Sequence, residues 1–256
     1  MIRSPLALRI RSRPDLDLRS QVRQAASLGA AGVVLDATGE LSPDRLGETG
    51  RRDLRHVMSS VELRLAAIGL PTRRPFDTDD QLDERLARAD RAFALSYELG
   101  SRLVLVNAGR VPPESDEVRR ALWRRAISEL TLRAEHRGVV LALEVGADPG
   151  SLMASQIEGV GLPNLAASLD PATQLAQGLD PVESVRALGG MLAHAYASDA
   201  AAPGRGFGFA GGSLDWEAYL GALEEIGYRG FVTVWPDPHV DQAAAFRSMR
   251  ARLDAF

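Results

Sequence analysis

Val139-Val140-Leu141-Ala142-Leu143-Glu144-Val145 and Leu165-Ala166-Ala167-Ser168-Leu169-Asp170 are two short apolar runs, each with a carboxylate at or near its end, and the segment 148–159 between them has apolar residues at helical spacing. A run without polar alternation is a strand covered on both faces, and two such strands joined by a helix make a parallel βαβ unit. The same alternation extends outward along the whole chain. Apolar runs stand at 6–10, 32–36, 63–69, 103–107, 139–145, 165–170, 192–197 and 231–235. Helical patterns stand at 16–29, 43–60, 79–99, 114–137, 148–159, 180–188, 213–227 and 239–255. Ser42-Pro43 and Pro181 carry helix-start signals, and Gly29, Gly100, Gly189 and Gly227 carry stop signals.

Eight β and eight α segments in 256 residues predict an α/β fold, a single (β/α)8 barrel occupying 1–256 as one domain. An open doubly wound sheet would carry a glycine-rich turn after its first strand, but that turn reads Ile10-Arg11-Ser12-Arg13-Pro14-Asp15.

Composition narrows the chemistry. Cysteine is absent and all 30 basic residues are arginine, so lysine is absent too. This excludes a Schiff-base lysine, a P-loop lysine, a thiolate nucleophile and a cysteine zinc site. Carboxylates, hydroxyls, arginines and the histidines His56, His136, His194 and His239 remain. No stretch reaches the ~18 apolar residues of a membrane helix, and the short apolar start is broken by Arg9, so the chain reads as cytoplasmic with no membrane partner. The arginines of the first half alternate with acids at helical spacing, as solvated helix faces do, and with a net charge of -4 no nucleic-acid partner is expected.

In such a barrel the reactive groups lie at the carboxyl ends of the strands. That places Asp36, Asn107, Glu144, Asp170, His194, Tyr196, Asp199 and Trp235 among the candidates, with Asp237 and His239 just beyond the eighth run. A carboxylate closing an apolar strand, as Glu144 does, must be hydrated, bound to a metal or paired with a barrel-mouth arginine. Asp170 raises the same question, and Asp170-Pro171 equally suits the cap of a following turn. His194 and Tyr196, two apart, share one face of their strand. A lone histidine on an apolar strand is more often a satisfied core residue than a ligand.

The order and spacing of several fragments carry a resemblance. These are Leu143-Glu144, Leu169-Asp170-Pro171-Ala172, Asp180-Pro181, His194-Ala195-Tyr196-Ala197-Ser198-Asp199, Gly212-Ser213-Leu214-Asp215-Trp216 and Gly227-Tyr228-Arg229-Gly230. On them the chain resembles the sugar-phosphate isomerase/epimerase superfamily of xylose isomerase-like barrels. The resemblance implies a divalent metal (Mn, Mg, Co or Zn) held by Glu, Asp, His and Glu from strands five to eight. It also implies carboxylates that move a proton beside a carbonyl through an enediolate. Glu144 and Asp170 fall on the first two ligand positions, as both metal and catalytic candidates. Tyr196 stands where the family has its ligand histidine, Trp235 where it has the last glutamate, and Thr173 where a histidine commonly follows the aspartate.

Two readings follow. In the first, the chain is an isomerase or epimerase acting on a small carbohydrate or sugar acid, with Glu144, Asp170 and His194 as catalytic groups, and Asn107, Tyr196, Arg205 and Trp235 contacting the substrate. Arg205 would take a phosphate or carboxylate. In the second, it is a non-catalytic descendant that binds a small ligand or a partner protein without turnover, with Tyr196, Phe207 and Trp235 suited to stack a ligand ring. A related multi-metal nuclease is disfavoured by the four histidines and the negative charge. The resemblance also admits a homo-oligomer.

Overall fold

The apolar runs become strands because their branched and small side chains can be buried on both sides, one face toward a barrel interior and the other toward helices. In the computed structural model, which describes residues 4–10, 16–200, 212–235 and 241–255, the strands are β1 (Leu6–Ile10), β2 (Gly32–Asp36), β3 (Arg64–Leu70), β4 (Leu103–Val106), β5 (Val140–Val145), β6 (Leu165–Leu169), β7 (Leu192–Ala197) and β8 (Val232–Val234). Each pairs in parallel with the next, and β8 pairs with β1, closing an eight-stranded barrel. The fold is therefore a (β/α)8 TIM barrel. No helix among the described residues is long and apolar enough to cross a membrane.

The helices are α1 (Leu18–Ser27), α2 (Glu48–Ser60), α3 (Leu82–Leu99), α4 (Glu117–His136), α5 (Gly150–Val160), α6 (Pro171–Ala176), α7 (Pro181–Leu188), α8 (Trp216–Glu225) and α9 (Gln242–Ala255). Most element ends shift from the sequence reading by a few residues, and two differences are larger. Ser42-Pro43 opens a turn, in which Ser42 O accepts from Arg45 N and Leu46 N, and the helix starts only after the extended Gly47. The short helix α6 was not read as a separate element. It forms because Asp170 caps it and Pro171 stands in its first turn. Gly100 ends α3 in the left-handed conformation at φ 91°, which the longer side chains adopt only at a cost.

Two packed layers result. Between barrel and helices lie Leu35, Ile68, Val104 and Leu141 with Phe93, Trp123, Ile127 and Leu130. Inside the barrel Ala7, Val34, Ala66, Ala67, Leu105, Ala142, Ala166 and Tyr196 form a separate cluster. Five of these eight are alanines. Their small volume leaves the barrel interior room for a few large side chains from β1 and β7.

Candidate active site

Strand alternation decides what enters the barrel. Ala7 belongs to the interior cluster, so Arg9, two residues on, also points inward. Its side chain is only 6% exposed. The guanidinium reaches across the lumen, from β1 to β5 on the far side of the ring. Nη1 donates to Glu144 Oε1 at 3.2 Å and to the Tyr196 hydroxyl, and Nη2 donates to Asp36 Oδ1 at 2.7 Å. The Trp235 ring stacks against it with 4.0 Å from Cζ to the ring centroid. Burial works against the charged guanidinium, but the Tyr196 oxygen and the Glu144 and Asp36 carboxylates outweigh it and raise its pKa. Arg9 was read from sequence only as an interruption of an apolar run. The available signal was its even spacing from Ala7.

Glu144 Oε1 accepts from both Arg9 and the Tyr196 hydroxyl, each at 3.2 Å. Of the fates open to a carboxylate ending an apolar strand, pairing with a mouth arginine is the one found. A fifth of the Glu144 side chain remains exposed. Burial pushes its pKa up, against the opposing charge of Arg9 and with help from Asp170. Burial likewise raises the Tyr196 phenol well above its ordinary value. Tyr196 is therefore neutral, accepting from Arg9 and donating to Glu144.

The other candidates do not join this cluster. Asp170 turns to its own loop: Oδ1 accepts from Ala172 N at 3.2 Å and from the Ser198 hydroxyl, and Oδ2 accepts from the Thr173 hydroxyl at 2.5 Å. The cap reading of Asp170-Pro171 describes this geometry. His194 is an interior strut between β6 and β8, with Nδ1 2.9 Å from Ser168 Oγ and Nε2 2.8 Å from Thr233 Oγ1. Burial, then the nearby positive charge of Arg9, pushes its pKa down to about 3. A histidine whose ring nitrogens are both engaged, and which stays neutral at pH 7, is poorly placed for proton transfer to a ligand. His194 and Tyr196 do share a face, their rings meeting edge-on at 4.5 Å. Asn107 is spent locally, its side-chain oxygen accepting from Gly109 N at 2.9 Å. Arg205, Phe207, Asp237 and His239 lie outside the described residues.

These contacts decide how the residues suit a divalent ion. Among the described residues no three His, Cys, Asp or Glu side chains gather as a metal-binding group. Glu144 holds a guanidinium, Asp170 is satisfied by its loop, Tyr196 keeps its proton, and tryptophan has no lone pair to offer a cation. The described side chains do not fit the metal that the resemblance implies.

Among the described residues, clefts flank the barrel. One of about 740 Å³ opens at the strand starts, beside Arg64, Leu103 and Phe231, away from the Arg9 cluster. Another of about 860 Å³ lies by the loops after β2 and β3, lined by Thr38, Leu70 and the arginines Arg73, Arg74, Arg85, Arg88 and Arg91. Arg74 pairs with Asp80 and Arg91 with Asp44, while Arg73 and Arg88 make no ion pair among the described residues.

The profile of the family described as "Xylose isomerase-like TIM barrel" matches residues 22–254. Solved structures with the same fold include a xylose isomerase domain protein from Planctomyces limnophilus, with 21% identity, a TM-score of 0.82 and coverage of 98% of this chain and 95% of that one. A D-allulose 3-epimerase from Methylomonas sp. superposes with a TM-score of 0.79 at 18% identity, covering 99% and 98%. The 3-keto-D-glucoside 4-epimerase from E. coli superposes with a TM-score of 0.78 at 17% identity, covering 99% and 100%. At these identities the likeness is one of fold. No curated protein matches the sequence.

Proposed function

Because the chain belongs to the xylose isomerase-like TIM barrel family, we propose that it acts on a small carbohydrate or sugar acid at the carboxyl end of its barrel, shifting a proton on a carbon next to a carbonyl, with Glu144 as the base. The observation that carries this reading is the state of Glu144. One oxygen is fixed by Arg9 and Tyr196, while the other makes no hydrogen bond among the described residues, and the side chain keeps a solvent-facing portion. An oriented carboxylate with a pKa raised by burial is a stronger base than a free one and better matched to a weak carbon acid. The epimerases above act on D-allulose and on a 3-keto-D-glucoside, which favours a carbohydrate substrate. The cleft, in which five arginines stand with the acids Asp44 and Glu84, favours a substrate bearing an acid group, since Arg73 and Arg88 make no ion pair among the described residues.

A single carboxylate suits transfer between adjacent carbons on one face of the sugar, which is isomerisation. Inversion at one carbon takes a second acid on the opposite face, and His194, tied between Ser168 and Thr233, is not such a group. That same observation favours a second reading, in which the barrel binds the sugar through Trp235 and Tyr196 without turnover.

Deuterium incorporation from D2O, followed by NMR over a panel of ketoses, aldoses and sugar acids, separates the two. Exchange at the carbon beside the carbonyl is expected, and Glu144→Gln should abolish it while leaving ligand binding within about tenfold. Binding without exchange in the wild type would establish the second reading. Exchange that persists in Glu144→Gln would remove this residue from the base role.

A further inference from the structure

We propose that Arg9 is this chain's own cation at the place where barrels of this family hold a divalent ion, a permanent occupant that orients Glu144 and makes the barrel mouth independent of metal. The guanidinium touches the side chains at three of the four positions that the sequence resemblance assigns to the family's ligands: Glu144, Tyr196 and Trp235. The two replaced positions suit a guanidinium as well as they disfavour a metal. A tryptophan face stacks on a planar, weakly hydrated cation but cannot ligate an ion. A neutral tyrosine accepts from the arginine and, while keeping its proton, donates a hydrogen bond to the glutamate oxygen through the same hydroxyl.

The space for this cation is built into the neighbouring strands. Gly69 on β3 lies in register with Asp36 on β2. A Cβ at position 69 would overlap Asp36 Oδ1 and stand 2.9 Å from Arg9 Nη2. The missing side chain is what lets Asp36 bond the far side of the guanidinium. Arg9 thus has carboxylates on two sides, an aromatic ring against its face and a glycine opposite, which is a receptor for a guanidinium and not an incidental surface pair. Arg9 acts through Glu144 and is a positioning residue.

The inference concerns occupancy and leaves the carbohydrate reading to stand or fall separately, so its test reads no turnover. The intact chain is titrated with Mn²⁺, Mg²⁺, Co²⁺ and Zn²⁺ by calorimetry and by shift in Tm. No binding that depends on Glu144 is expected, and a metal-induced Tm rise that disappears in Glu144→Gln would overturn the proposal. Arg9→Ala, refolded with and without methylguanidinium at sub-denaturing concentration, should show a Tm several degrees below the wild type that methylguanidinium raises and equal sodium chloride does not. Rescue should vanish in Arg9→Ala/Glu144→Gln. A folded Arg9→Ala indifferent to methylguanidinium would overturn the proposal, as would an Arg9→Ala that refolds neither with it nor without it. Arg9→Lys keeps a cation in place and should fold without gaining a Mn²⁺ response. A Mn²⁺ response in Arg9→Lys would count against a resident charge as the excluding feature.

Discussion

His194 shows how one side chain couples the barrel interior to pH. Folded, it takes up a proton only near pH 3, because burial and the charge of Arg9 hold its pKa down to about 3, against an ordinary value of 6.5. Between those values the unfolded chain binds the extra proton and the folded chain does not. The neutral ring therefore contributes stability that is complete above about pH 6.5 and is lost as the pH falls toward 3, at up to about 1.4 kcal/mol per pH unit. Glu144, with its raised pKa, has the opposite slope, and it cancels when wild type is compared with His194→Gln. Chemical denaturation at several pH values between about 4 and 6 should show a shallower pH dependence in His194→Gln. Equal slopes in the two proteins would mean that the ring is not held neutral. Gly69 is the second residue whose effect is local and steric. Gly69→Ala pushes a methyl group into Asp36 and Arg9 and should cost about 1–3 kcal/mol. Because the clash is with Asp36, the cost should shrink in an Asp36→Ala background, as a double-mutant cycle would show.

At the scale of elements, the segment after β6 ties sequence to local structure. Asp170 bonds Ala172 N, the Thr173 hydroxyl and the Ser198 hydroxyl, so one carboxylate starts α6 and links the end of β6 to the end of β7. Asp170→Ala should destabilise the chain by about 0.5–2 kcal/mol, the ordinary range for a lost cap, measured by urea unfolding. Asp170→Asn, which can still accept from the helix N–H, should recover part of the loss. The sequence already held both possibilities for this residue, since Asp-Pro at a strand end suits a cap as well as a ligand. The choice depended on Ser198, which lies 28 residues away and arrives only when β7 pairs with β6.

For the whole molecule, stability resides chiefly in the layer between barrel and helices. Trp123 on α4 is fully buried there and its indole N–H donates to Ala108 O at 3.3 Å. Trp123→Ala should cost about 3–5 kcal/mol, the largest loss among the substitutions named, read as a lowered urea midpoint without loss of the circular-dichroism signature. The barrel as a whole was legible because its evidence is local and repeated. Each apolar run is a buried strand whatever its partners, and eight of them alternating with helices leave few topologies. Glu144 was legible for a related reason, since a carboxylate on an apolar strand needs a partner wherever the strand goes. Its partner was not legible. Arg9 stands 135 residues away in a run that reads as an ordinary first strand.

The sequence by itself determined the parallel (β/α)8 barrel, because that rests on residue identity and short-range period. Only the tertiary structure decided what the charged groups do. Closure of the ring sets β1 opposite β5, and the inward phase of each strand chooses which side chains share the lumen. Those two conditions together put the guanidinium of Arg9 against Glu144, turned Asp170 into a cap, and left His194 as a neutral strut.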